Sequence, residues 1–344
     1  MNPTRTKPRF VAVDILNEIL GNKKSFHELK ALGRLRNLKP NEKAFVQRLV
    51  MDTLRNLNRC DRLLKKYLKK EPKLKVKNIL RLGLTELVTG GASHAVVNEA
   101  VSYAASNKIT RPMKGLVNAV LRKLSSHEIE DWNKYDSTSK LPEWLRRPLI
   151  DAYGKSIVIE IEKIQSLTPP IDITLKDPSK IHNLASALEG RIIFQESIRL
   201  ESGKQISVLP GFKEGDWWVQ DTAASIPVRL LENLQGKKVL DLCAAPGAKT
   251  LQLASLGASV TAVDISASRL EILRENLERC GLTANIIESD AFNITDKFDI
   301  ILLDAPCSAT GTIRRHPDLV HCKDGSDFFE LIEIQAKLLD PSLQ

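Results

Sequence analysis

The run Lys238-Val239-Leu240-Asp241-Leu242-Cys243-Ala244-Ala245-Pro246-Gly247-Ala248-Lys249-Thr250 joins a short apolar strand to a helix through a turn of small residues. Outward from it the same rhythm recurs: Ser259 to Val263 with a helix from Ser266, then Ala284 to Ile287, then Phe298 to Leu303. Short strands alternating with helices specify a doubly wound parallel sheet, a Rossmann-like α/β layer beginning near Trp217. Right-handed crossovers bring the C-terminal ends of its strands to one edge. That edge is where open α/β sheets bind ligands.

The turn itself excludes two phosphate-binding readings. A P-loop needs Gly directly before the lysine and another five residues earlier, where this chain has Ala248 and Cys243. A dinucleotide fingerprint needs three glycines, and only Gly247 is present. Small side chains and Gly247 still let the backbone approach a ligand closely, above a helix N-terminus that favours a carboxylate. Asp264 ends the second strand, placed to accept hydrogen bonds from ribose hydroxyls, and Asp290 follows the third, placed to accept from an adenine amine. One such acid reads equally well as a helix cap. Four successive strands ending in acid, at Asp241, Asp264, Asp290 and Asp304, outline a nucleoside cofactor without phosphate, which points to S-adenosylmethionine.

The fourth strand runs into Asp304-Ala305-Pro306-Cys307-Ser308. Amine methylases carry an aromatic residue where Cys307 stands; a thiol fits methylation of a pyrimidine at carbon 5. That carbon has no lone pair, so a cysteine first adds to C6. C5 then takes the methyl group, loses its proton, and the thiolate leaves. Asp304 can hold a proton against the ring N3. A structural role remains open for Asp304 or Cys307 taken singly.

The N-terminal third is a different object. From Arg9 to about Ser126 apolar residues recur at helical spacing, beginning with Phe10, Val13, Ile15, Leu16, Ile19 and Leu20, so an all-α domain is expected. Residues 1–132 hold 27 Lys+Arg against 12 Asp+Glu, a net of +15, whereas residues 133–344 hold 24 against 30. Seven lysines fall between Lys65 and Lys77. A basic module joined to a mildly acidic one suits an enzyme that docks a polyanion, although basic runs are also found on plain solvated surfaces. The five cysteines are dispersed and never form CxxC, so reduced thiols are expected. His316, His321 and Cys322 lack a fourth ligand and a standard spacing, so no metal is expected. No apolar run is long enough to span a membrane and no signal peptide is evident, giving a cytoplasmic expectation.

These motifs, LCAAPGAKT, VDIS, SDA, DAPCSATGTIRRHPD and Gln220-Asp221 before a helix, resemble the RNA (cytosine-C5)-methyltransferase family. The N-terminal region is similar to the NusB antitermination-factor fold, most clearly over Gly115-Leu116-Val117-Asn118-Ala119-Val120-Leu121-Arg122, and the combination resembles the RsmB-type branch that acts on 16S rRNA. The resemblance implies a NusB-like domain over 1–130, a linker over 131–141, a small α+β subdomain over 142–216 and a class I S-adenosylmethionine-dependent methyltransferase domain over 217–344. It implies cofactor contacts from Cys243, Ala244, Ala245, Pro246, Gly247, Ala248 and Lys249, and from Asp264, Arg269, Asp290 and Asp304. Arg314, Arg315 and His316 are candidate RNA contacts. The implied partner is 16S rRNA, with no membrane, and the expected state is a monomer.

Two positions depart from the family pattern. Ala248 stands where a second glycine is common. The attacking thiol of the family belongs to a Thr-Cys-Ser motif after a fifth strand, with the Pro-Cys thiol assisting product release, and these 344 residues contain no Thr-Cys-Ser. The expectation is therefore a methyltransferase domain lacking its closing strands and impaired in turnover. Direct attack by Cys307 is one alternative; a non-catalytic RNA-binding assembly or antitermination-type factor is another.

Overall fold

The computed structural model describes residues 7–127, 132–135 and 138–342, and the chain forms two compact units. The first comprises Met1–Thr168 with Ala309–Ser326; the second comprises Pro169–Ser308 with Asp327–Gln344. Among the described residues no helix is long and apolar enough to cross a membrane.

The first unit is helical: α1 (Pro8–Asn22), α2 (Phe26–Ala31), α3 (Pro40–Arg55), α4 (Leu57–Lys65), α5 (Leu74–Val88), α6 (Ser93–Ser106), α7 (Lys114–His127), α8 (Glu143–Tyr153) and α9 (Lys155–Ser166). Helix α5 is its centre, packed on α1, α3, α4, α6 and α7. Eleven of its fifteen residues are buried, as befits a helix apolar on nearly every side. A Cβ at Gly83 would stand 2.9 Å from Leu121 Cδ1, so glycine there permits the close crossing of α7. A polar cluster inside this bundle is well matched. Arg81 forks onto Asp61 at 2.7 and 2.6 Å and donates to Asn78 Oδ1, while Asn78 donates to Asn17 Oδ1 at 2.9 Å.

The stretch 131–141, expected to be a linker, is only partly described, since residues 131, 136 and 137 lie outside the described residues. Trp132 is buried against the bundle core, and Leu141 is buried with Leu145 and Ile313. Helices α8 and α9 lie in the first unit.

The second unit carries two four-stranded sheets. One is antiparallel in the order β2-β3-β1-β4, from β1 (Ile171–Leu175), β2 (Arg191–Phe194), β3 (Ser197–Leu200) and β4 (Trp217–Val219), with α10 (Ile181–Leu188) against it. The other is parallel in the order β7-β6-β5-β8, from β5 (Lys238–Leu242), β6 (Ser259–Asp264), β7 (Asn285–Glu288) and β8 (Ile300–Leu303). Helices α11 (Thr222–Arg229), α12 (Ala248–Ser255), α13 (Ala267–Cys280) and, after the short α14 (Leu319–Cys322) of the first unit, α15 (Phe328–Ser342) complete the elements. Leu242 pairs with Val263 on one side and Leu303 on the other, so β5, β6 and β8 end together.

A buried relay links β4 to α12 and α11. The Trp218 indole donates to Gln220 Oε1, Gln220 Nε2 donates to Gln252 Oε1 on α12, and Gln252 Nε2 donates to the Ser225 carbonyl. Asp221 caps α11 by accepting from Ala223 N at 2.9 Å, which accounts for the Gln-Asp pair before that helix.

Candidate active site at the edge of the parallel sheet

The turn after β5 adopts two left-handed conformations, at Cys243 (φ 60°) and Gly247 (φ 101°). Glycine is required at the second: a Cβ there would lie 2.1 Å from Leu273 Cδ1 on α13. Ala248 is already helical as the first residue of α12, so alanine in place of the family's glycine costs no backbone strain.

Asp241 lies beneath this turn, fully buried. Its Oδ2 accepts from the Thr250 hydroxyl at 2.6 Å, while Oδ1 has no hydrogen-bond partner. Burial pushes its pKa up to about 7, with Asp304 and Asp264 adding to the rise and Thr250 and Lys249 opposing it.

Asp264, ending β6, is 4% exposed and organises the turn. Its Oδ2 accepts from Ala245 N at 3.0 Å and its Oδ1 from Ser266 N at 2.9 Å. Arg269 on α13 completes the group, with Nη1 3.6 Å from Asp264 Oδ2 and Nη2 donating to the Ala245 carbonyl. Each Asp264 oxygen retains a lone pair for a further donor. Asp304, just past β8, is exposed and pairs with Lys249 Nζ at 2.5 Å, so an ion pair bridges the turns after β5 and β8. The Lys249 side chain is the more enclosed partner.

The sheet thus brings together Cys243 through Lys249, Asp264, Arg269 and Asp304. Asp290 follows β7 beside the end of β6, where Ser289 N donates to the Asp264 carbonyl at 3.2 Å; it is exposed and caps its own turn, accepting from Phe292 N at 3.1 Å. Cys307 is exposed on the turn after β8, and the carbonyl of its neighbour Pro306 accepts from Gln335 Nε2 at 2.7 Å. Burial, with Asp264 and Asp304 adding, pushes the Cys243 thiol up to about 11, so it stays protonated at neutral pH.

Sequence reasoning missed the supporting groups. Thr250 was visible in the motif without its role, and Gln335, 29 residues from Pro306, leaves no local signal.

The Arg314-Arg315-His316 run belongs to the helical unit. Arg314 donates from Nε and Nη2 to the Leu167 and Thr168 carbonyls, at 3.3 and 3.2 Å, so its guanidinium is engaged within the protein. His321 nearby is a neutral imidazole, its pKa pushed down to about 4 by burial first. Among the described residues no three His, Cys, Asp or Glu side chains are grouped to hold a metal ion. Six of the seven lysines between Lys65 and Lys77 are exposed, whereas Lys77 pairs with Asp61 and Glu71. A cleft of about 770 Å³ in the same unit is lined by Asp14, Asn17, Arg34, Lys73, Lys75 and Tyr103 among others.

Comparison with known proteins agrees with both halves of this architecture. A family model described as 16S rRNA methyltransferase RsmB/F matches residues 228–344, and a NusB family model matches residues 6–126. Ribosomal RNA small subunit methyltransferase B of Escherichia fergusonii is 35% identical over 321 residues, covering 87% of this chain and 74% of that protein. The protein of the same name from Klebsiella pneumoniae is 34% identical over 322 residues, with the same coverage. Among solved structures, the crystal structure of PH0851 matches with a TM-score of 0.70 at 18% identity over 98% of this chain and 83% of that one. NSun6 from Pyrococcus horikoshii with SFG matches with a TM-score of 0.52 at 17% identity over 59% of this chain and 80% of that one. At such identities the structural likeness speaks for the fold alone.

Proposed function

The chain belongs to the RsmB/F family of rRNA methyltransferases, and from that membership we propose that it takes part in methylating carbon 5 of a cytosine in 16S rRNA, with S-adenosylmethionine as donor. The observation that carries this reading is the placement of Asp304 and Cys307 on the turn after β8, with Asp304 joined to Lys249 of the turn after β5. The residues present suit a phosphate-free nucleoside donor. The turn lacks a phosphate cradle, its left-handed positions expose backbone, and carboxylates of β5 and β6 lie beneath and beside it. We assign the donor to Cys243 through Lys249, Asp264, Arg269, Asp290 and Asp304. Bound there, it supplies a methyl group on a sulfonium.

The chain's own residues then act on the base. As a thiol adds to C6 and its proton passes to the ring N3, the Asp304 carboxylate accepts a hydrogen bond from that N–H and stabilises the adduct. After methyl transfer C5 loses its proton, the C6–S bond breaks, and the thiol is restored. In this reading Cys307 assists release, and the adding thiol belongs to a Thr-Cys-Ser motif that these 344 residues do not contain. The basic helical unit grips phosphates through its exposed lysines, giving a binding affinity that falls steeply with salt. Action in the cytoplasm as a monomer, and a four-part division at 130, 141 and 216, complete the proposal.

Donor carrying a labelled methyl group, supplied with small-subunit RNA, tests this reading. Label recovered on cytosine C5 supports it; label on an amine or a 2′-hydroxyl contradicts it. RNA binding with neither donor binding nor label favours the assembly-factor alternative. RNA containing 5-fluorocytosine, which traps the C6 adduct, identifies the attacking thiol, and an adduct on Cys307 overturns its assignment to release.

A further inference from the structure

The cleft of about 770 Å³ in the helical unit takes part in no step of the proposed reaction, and its charges are unevenly satisfied. Its walls come from α1, the start of α5 and the segment after α6, with Arg34 beside them. The two acids are engaged. Asp14 accepts at Oδ1 from the Tyr103 hydroxyl, and Glu18 accepts from Asn22 Nδ2 at 3.0 Å with Lys24 Nζ 3.7 Å away. The three cations are not: among the described residues, the side chains of Arg34, Lys73 and Lys75 make no hydrogen bond or ion pair. Helix α5 also starts at the cleft with no capping side chain and no acid in its first turn, so the positive pole of a 15-residue helix adds to theirs.

Charge alone would describe a basic surface; the walls narrow the chemistry. Leu74 and Ile109, 39% and 51% exposed, give the cleft apolar surface that contributes nothing to binding a bare inorganic anion. Amide edges stand free beside it. Asn22 Oδ1 and Asn107 Nδ2 have no partner among the described residues, while Asn22 Nδ2 is taken by Glu18 and Asn107 Oδ1 by Ile109 N. Asp14 Oδ2 adds an acceptor, and Tyr103, buried with its ring edge-on to Phe10, holds that carboxylate in place. Unpaired cations, apolar walls and free amide and carboxylate edges, in a cleft of the size that takes small ligands, match a phosphate joined to a flat heterocycle.

We propose that this cleft binds a nucleotide unit, with its phosphate on Arg34, Lys73 and Lys75, its base against Leu74 and Ile109, and an exocyclic amine of the base donating to Asp14. Such a unit is either a free nucleotide or one unstacked residue of a single-stranded RNA. The RNA source rests on the reading of this chain as an RNA methyltransferase; the chemistry of the cleft does not. The helical unit then reads a base as well as holding phosphates.

Fluorescence anisotropy of the full chain with labelled oligoadenylate and oligouridylate RNA, and competition by AMP, tests this. Lys73→Ala with Lys75→Ala should weaken oligoadenylate by about tenfold or more, against about threefold or less for Lys30→Ala with Lys43→Ala, which removes the same charge outside the cleft. Ile109→Asp should also cost about tenfold, through the lost wall and the added anion. In Asp14→Asn the amide oxygen still accepts from Tyr103, so a donor replaces Oδ2 and the preference for adenosine over uridine disappears. Every side chain changed belongs to an exposed residue, so the fold is not at stake. Displacement of the RNA by AMP, sensitive to the cleft variants, supports a free nucleotide as occupant; RNA binding that AMP leaves intact and the same variants weaken supports a strand. Equal losses in the two lysine pairs, an Ile109→Asp affinity that does not move, or no binding of any probe would overturn the proposal. Absence of label on cytosine C5 would strike the proposed function and leave this result standing, so the two readings fail separately.

Discussion

Asp172 and Asp241 are both wholly buried carboxylates in four-stranded sheets of the same unit, and their surroundings could hardly differ more. Asp172, on the antiparallel sheet, accepts two bonds from Arg199 at 2.7 and 2.9 Å and two more from the Thr222 hydroxyl and N–H. Burial raises its pKa, but these bonds outweigh burial and hold it below the ordinary carboxylate value. Asp241, on the parallel sheet, has one bond and a bare oxygen, and burial carries it up to about 7. Full satisfaction marks a structural acid; an incompletely satisfied one is the pattern expected where a fold gives up stability for chemistry, in keeping with the proposed donor site above Asp241.

The sharpest test of the contrast removes the satisfied acid. Asp172→Ala should lower stability by about 3 kcal/mol, because Arg199 and the Thr222 N–H lose their shared partner. Urea denaturation with an unchanged m-value checks this. Gly247→Ala comes next, with a loss of about 2 kcal/mol from the left-handed φ and the Leu273 clash, accompanied by loss of donor binding.

Asp241→Asn should go the other way. Asp241 in the unfolded chain titrates near 4, so between about 4 and 7 the folded chain holds a proton the unfolded chain has released. Stability contributed by this site therefore falls as pH rises through that window. Asparagine removes the slope, and the variant should gain a few kcal/mol relative to the parent at pH 8 compared with pH 4. Denaturation midpoints across that range would show it, and an unaltered slope would mean that Asp241 is not the group responsible. Lys249→Ala is the smallest change, shifting stability by about 0.5 kcal/mol while weakening the donor by about tenfold in a calorimetric titration.

Much of this was legible in the sequence, for reasons the two sheets again illustrate. The parallel strands read cleanly because each is an apolar run followed by an acid, and the structure pairs them in parallel with a common edge. On the antiparallel sheet β1 and β2 were legible, but β3, Ser197–Leu200, has only Ile198 and Leu200 as apolar markers, against three apolar residues in a β2 of the same length. Asp172 was invisible as a structural keystone, since Arg199 and Thr222 lie 27 and 50 residues away. The helical unit's hold on residues 309–326 escaped for the same reason, its Asp318 bond to Phe26 spanning 292 residues. Local pattern encodes elements and turn chemistry; which distant groups satisfy one another is settled only by the tertiary fold.

Hydrogen exchange followed with and without saturating S-adenosylmethionine tests most directly whether the edge of the parallel sheet holds the donor. Slower exchange in peptides covering 241–250, 264–270, 288–293 and 304–308, with no change across 8–127, is the predicted result. Protection confined to the helical unit, or none anywhere at saturation, would contradict it.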